Sequence, residues 1–80
     1  MPLMPRYYFH TCIDGALAHD PEGEELTDLE AVKVIALRVL ADLAEGVLPG
    51  ARKKKDFSVE VHDEQGHRVL KTELSLDVRP

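Results

Sequence analysis

The run from Thr27 to Gly46 governs what this chain can become. Between Leu29 and Glu45 it contains neither Gly nor Pro, and its apolar residues recur every three or four positions. That is the period of an amphipathic helix. Thr27 is a residue type that caps helix N-termini, and Glu30 three positions on completes a Thr-x-x-Glu capping box. Asp28 and Glu30 put negative charge in the first turn, where the helix dipole favours it. Gly46 supplies a residue able to take the left-handed conformation that ends a helix. The expected helix is 28–45.

At about 100° per residue, Leu29, Val32, Ala36, Val39, Leu40 and Leu43 fall on one broad apolar face, with Ile35 at its margin and Val47 at its far end. This face is expected to cover a sheet. Val34, Leu37, Ala41, Ala44 and Leu48 form a second stripe on the opposite side, edged by Glu30, Lys33, Arg38 and Glu45. A plain surface helix would be polar there. Single surface aliphatics are common and alanine serves helix propensity, but a stripe of this length also fits contact with a second copy or another protein.

The remainder reads as strands. Residues 6–13 are rich in aromatic and β-branched types, Asp14-Gly15 is a turn signal, and 16–18 is a short returning strand. In 57–62, Phe57, Val59 and Val61 alternate with polar residues, the period of a half-buried strand. Asp63-Glu64-Gln65-Gly66 is a hairpin loop, and 68–77 is the partner strand, with Leu70, Thr72, Leu74 and Leu76 on one face. One helix and two hairpins, in the order β-β-α-β-β, make a two-layer α+β sandwich: an antiparallel sheet covered by the helix, as one domain over 1–80. The order of the strands stays open. The segment from Leu48 to Lys55 is a loop by composition.

An 80-residue chain buries only about 60% of the surface it exposes when unfolded, so help from a partner would matter. Hydrophobic residues at 44% and charged residues at 31% belong to a chain that folds. One cysteine cannot close an internal disulfide, and no apolar stretch approaches membrane-spanning length. A cytoplasmic setting away from the membrane is expected. Charge is segregated: Asp14, Asp20, Glu22, Glu24, Glu25, Asp28 and Glu30 precede Val32 with no Lys or Arg among them, and Arg52-Lys53-Lys54-Lys55 is the only basic run.

The residues carry a resemblance. Pro5-Arg6-Tyr7-Tyr8-Phe9-His10, Asp14-Gly15, Asp20-Pro21-Glu22-Gly23-Glu24-Glu25-Leu26, Asp28-Leu29-Glu30-Ala31 and Val59-Glu60-Val61-x-Asp63-Glu64-x-Gly66 resemble a family of small alphaproteobacterial proteins. Its members open on Pro-Arg-Tyr-Phe-Phe-His and form a domain of unknown function. This sequence departs from the pattern at Tyr8, at Thr11-Cys12-Ile13 and in the tri-lysine loop. The resemblance implies a compact cytoplasmic α+β domain and carries no catalytic residues across. At the level of element order, the chain is also similar to antitoxin domains of the HicB type.

Chemistry-bearing motifs are weak. His10, Asp14, His19 and Asp20 could gather on a metal, but their spacing matches no metal motif. Asp20-Pro21-Glu22-Gly23-Glu24-Glu25 fails as a calcium loop because Gly23 falls at the fourth position, not the sixth. Cys12 shares a strand face with His10, which makes them neighbours rather than a nucleophile and its base. Four cations on one loop of a chain with net charge −5 would give weak, salt-sensitive contact with nucleic acid. The reading is a non-enzymatic interaction or regulatory module, self-associating as a homodimer or binding another protein, with no metal, cofactor or small-molecule ligand. Val34, Leu37, Ala41 and Leu48, with Tyr8 and His10 on the sheet, form its contact surface, and Arg52, Lys53, Lys54 and Lys55 form a charged contact. The alternative is a nucleic-acid-associated, antitoxin-like regulator. Alternation on the first strand places Tyr7, Phe9, Thr11 and Ile13 under the helix, and Tyr8, His10 and Cys12 on the face left open.

Overall fold

The computed structural model of the chain describes residues 4–47 and 54–77. β1 (Arg6–Ile13) turns through Asp14 and Gly15 into β2 (Ala16–Ala18). Their φ angles, 49° and 87°, are both left-handed. A type I′ hairpin turn requires that of both its central residues, and an Asp-Gly pair tolerates it. A strand too short to announce itself follows: β3 (Glu24–Glu25) pairs with the start of β1, Arg6 opposite Glu25 and Tyr7 opposite Glu24. Two exposed glutamates have no apolar alternation, so periodicity gives no sign of them.

The helix α1 runs from Leu29 to Val47. Its cap is Asp28 and not Thr27: Asp28 Oδ1 accepts the Ala31 N–H at 2.9 Å, and the Asp28 carbonyl accepts Val32 N–H at 3.2 Å. Aspartate outranks threonine at this position. With the cap moved one residue, Ala31 holds the place a capping-box glutamate would need. Glu30 pairs instead with Lys33 at 3.5 Å.

β4 (Lys55–His62) and β5 (Arg68–Leu76) form the second hairpin. Asp63 shapes its loop, its Oδ1 accepting the N–H of Gln65 and of His67. β4 starts two residues before the expected strand because Asp14 reaches across to it. Asp14 and Asp56 exchange two hydrogen bonds of 2.9 Å, and Lys55 Nζ lies 3.1 Å from Asp14 Oδ2. Lys55 is therefore a paired strand residue and not part of a solvated loop. At the other end a bulge sets Val61 opposite Leu70 and His62 opposite Arg68, leaving Val69 as the extra residue.

The strands join in the order β2-β1-β4-β5, all neighbours antiparallel, with β3 also on β1. The two hairpins thus meet along β1 and β4, Phe9 opposite Val61 and Ile13 opposite Phe57. α1 covers one face. Val32, Ala36, Leu40 and Ala44 bury against Tyr7, Phe9, Phe57, Val59 and Val61, with Ile35, Val39, Leu43, Leu70, Leu74 and Leu76 packed around them. The two-layer α+β arrangement is the expected one.

Three helix positions differ from expectation. Gly46 does not end the helix, which runs through it to Val47; its φ is not left-handed, and a glycine, though costly in a helix interior, is compatible with helical backbone. Ala44 is buried at 7% exposure, although periodicity puts it on the outer stripe. The buried row steps by four residues, and four residues turn about 400°, so the core-facing surface drifts around the helix towards its C-terminus. Leu29 is 53% exposed, although periodicity puts it in the core. Helical side chains lean back over the preceding turn, and the first residue has no preceding turn to stand over.

Candidate functional site

The face of the sheet opposite α1 gathers the chain's chemistry-bearing side chains. Register decides which ones meet. Tyr8 stands opposite His62, His10 opposite Glu60 and Cys12 opposite Ser58, while Lys71 follows Glu60 onto β5. Directly opposed residues share a sheet face. Tyr8, His10, Cys12, Glu60 and His62 are all half-buried there.

His10 is the centre of this arrangement. Its ring lies edge-on to His19 and to His62, each at a centroid distance of 4.9 Å. Its Nδ1 accepts the backbone N–H of Asp20 at 3.0 Å. That bond assigns the tautomer: the neutral ring carries its proton on Nε2. Burial, followed by the neighbouring His62 and His19 rings, lowers the His10 pKa, against the raising effect of Asp20 and Glu60.

Asp20 stands where β1 lacks a partner strand between β2 and β3. Its Oδ2 accepts Phe9 N–H at 3.1 Å, and its Oδ1 accepts Glu22 N–H at 3.2 Å and Gly23 N–H at 3.1 Å. Burial raises the Asp20 pKa, but these three donors and the nearby His10 outweigh it, and the net shift is downward. Gly23 is required in this turn. Its φ is 71°, and a Cβ there would meet the Tyr7 carbonyl oxygen and the Tyr8 ring, both at 2.8 Å.

His62 faces acceptors at both ring nitrogens, the Gly66 carbonyl at 3.1 Å from Nδ1 and Glu60 Oε1 at 2.9 Å from Nε2. A neutral ring donates to one of them at a time, the tautomer deciding which. The hydrogen bond from His62 lowers the Glu60 pKa, burial opposes it, and the charges of Arg68, His62 and Lys71 add to the lowering.

These contacts limit the chemistry. A ligating imidazole offers a bare nitrogen. His10 spends its lone pair on a backbone amide, and both His62 nitrogens are already within hydrogen-bond distance of Gly66 and Glu60. Among the described residues no group of three His, Cys, Asp or Glu side chains is arranged to hold a metal ion. Cys12 is a free, half-buried thiol. A concavity lined by Asp56, Phe57, Glu73, Leu74 and Ser75 lies at the β4–β5 end and includes none of the histidines.

Of the residues read as contact candidates, Val34, Leu37 and Ala41 are exposed on α1, and Tyr8 and His10 are half-buried on the open sheet face. The two groups lie on opposite layers, so they form two surfaces and not one. Lys54 is exposed and Lys55 is tied to Asp14. Leu48, Arg52, Lys53 and the side chain of Val47 lie outside the described residues. Sequence reasoning passes over Glu60 and His62 as the polar half of an alternating strand. The one available signal is the matching alternation of Tyr8-x-His10 and Glu60-x-His62, which register turns into a cluster.

The architecture is that of a small α+β domain, one helix laid on one face of an antiparallel sheet, with no second layer on the other face among the described residues. The chain belongs to the DUF6894 family, a domain of unknown function whose pattern covers residues 6–75. No curated protein and no solved structure matches it. No helix among the described residues is long and apolar enough to cross a membrane.

Proposed function

We propose that this domain acts by contact and not by catalysis, as an interaction module that associates with a second copy of itself. The observation that carries this reading is a contrast in how its side chains are used. The groups that could do chemistry hold the fold together: Asp14, Asp20, His10, His62 and Asp63 each bond to backbone of another segment or turn. Leu29, Val34 and Leu37, by contrast, leave more than half of their surface in solvent, at 53%, 54% and 57%. For a domain whose core holds nine of the described residues, covering such side chains is a substantial gain, at about 25 cal/mol per Å² of apolar surface removed from water.

The nucleic-acid alternative draws less support. Lys55 spends its charge on Asp14, and Glu60 and Glu73 stand on the open sheet face beside Lys71. Sedimentation velocity from low to several hundred micromolar tests the association. The expected result is a concentration-dependent shift from monomer to dimer, and a monomer throughout overturns the reading.

A further inference from the structure

The sheet has two edges, and they are built differently. β2 is three exposed residues long, too short to recruit a neighbour. β5 is nine residues long, and among the described residues its partner is β4 on one side only. Long edges are usually blunted, and here the bulge at Val69 affects only the end beside the hairpin loop, leaving Leu70–Leu76 regular. We propose that two copies of this chain pair antiparallel along β5, about a twofold axis at Thr72, into one continuous sheet. This rests on the self-association proposed above and places the contact on the sheet edge, apart from the exposed α1 side chains Val34 and Leu37.

Three features of β5 select that register. Antiparallel partners must share a sheet face, so a twofold axis passes through a residue, and Thr72 is the midpoint of Arg68–Leu76. Centred there, Leu70 meets Leu74 of the second copy on the helix side, and Lys71 meets Glu73 twice on the open side. Centring on Lys71 or Glu73 would set like charges face to face, which is destabilising. Finally, Thr72 Oγ1 is the one buried side-chain polar atom without a hydrogen-bond partner among the described residues, and it gains one across this edge when the side chain turns outward from its buried rotamer. Opposed threonines bond to each other across antiparallel strands, and this register brings two together.

The test uses the full chain and sedimentation equilibrium, with circular dichroism to check that each variant folds. Lys71 and Glu73 are exposed, so neither substitution touches the core. Lys71→Glu and Glu73→Lys each replace two attractive contacts by two repulsive ones, and each should weaken the dimer about tenfold or more. Mixed in equal amounts the two variants should pair with one another, and Lys71→Glu/Glu73→Lys in a single chain should restore the homodimer. A wild-type dimer indifferent to both substitutions overturns the β5 pairing and leaves self-association standing. Weakening with no recovery in the mixture or the double variant also overturns it. A wild-type chain that stays monomeric overturns both.

Discussion

His10 on β1 and Asp20 in the β2–β3 connection hold each other's segment in place. The Asp20 N–H donates to His10 Nδ1 at 3.0 Å, and the Asp20 carboxylate accepts the N–H of Phe9, the preceding residue on β1, at 3.1 Å. The bonds run in opposite directions. Together they do for the middle of β1 what a paired strand does at its two ends.

Asp20→Ala should therefore destabilise the domain well beyond a surface substitution. Three backbone N–H groups lose a charged acceptor, and one such bond is worth about 1.5–3 kcal/mol. Because the freed amides regain water in part, the expected loss is about 2–3 kcal/mol in urea unfolding. Asp20→Asn keeps one acceptor oxygen and should recover part of it.

Acid should weaken the fold in two stages. The folded pKa of His10 is lowered, so the unfolded chain takes up that proton more readily. Its contribution is complete above the ordinary value of 6.5 and is lost as pH falls from there to the folded value. Asp20, Asp14 and Glu60 also have lowered values, but as carboxylates. Their contributions are complete above the ordinary carboxylate range and are lost below it. His10→Asn offers a similarly placed acceptor to Asp20 N–H and cannot titrate. Denaturant midpoints taken between about pH 8 and 3 should lose the upper stage in that variant and keep the lower one.

Glycine substitutions should separate strain from collision. Gly15 has φ 87° with open space where a methyl group would sit, whereas Gly23 has φ 71° and a backbone oxygen 2.8 Å from where Cβ would sit. Gly15→Ala carries only the left-handed penalty, roughly 1–2 kcal/mol. Gly23→Ala must also move the Tyr7 carbonyl, and about 3 kcal/mol or more is expected. Equal losses for the two variants in thermal or urea unfolding would mean that the Tyr7 contact costs nothing.

The cap assignment predicts an asymmetry between neighbours. Asp28→Ala removes the acceptor of Ala31 N–H and should cost about 1 kcal/mol. Thr27→Ala should stay within about 0.5 kcal/mol. The reverse ranking would return the cap to Thr27.

Much of the fold is legible because it rests on local rules. The limits of β1 and β2 follow from Asp14-Gly15, whose two left-handed residues admit only a tight hairpin. Period-2 alternation places Tyr7 and Phe9 under the helix, and Tyr8, His10 and Cys12 away from it, as the structure does. Leu70, Thr72, Leu74 and Leu76 share one face for the same reason. Where two local signals compete, the pattern alone does not choose. Thr27 and Asp28 both suit a cap, and Ala44 lies at the edge of a face whose drift depends on how the helix sits on its sheet.

The candidate site belongs to a different level. The sequence by itself determined one amphipathic helix, two hairpins and which side of each strand is apolar, since these depend on neighbours within a few residues. Only the tertiary structure decided that β1 lies against β4, 42 residues apart at the Asp14–Asp56 contact, and in which register. That pairing carries His62 and Glu60 to His10, ties Lys55 to Asp14, and leaves β5 as the long free edge. Periodicity specifies the face a residue takes; its partner on that face is set by register between distant segments, and register is settled by the packing of the whole sheet beneath the helix.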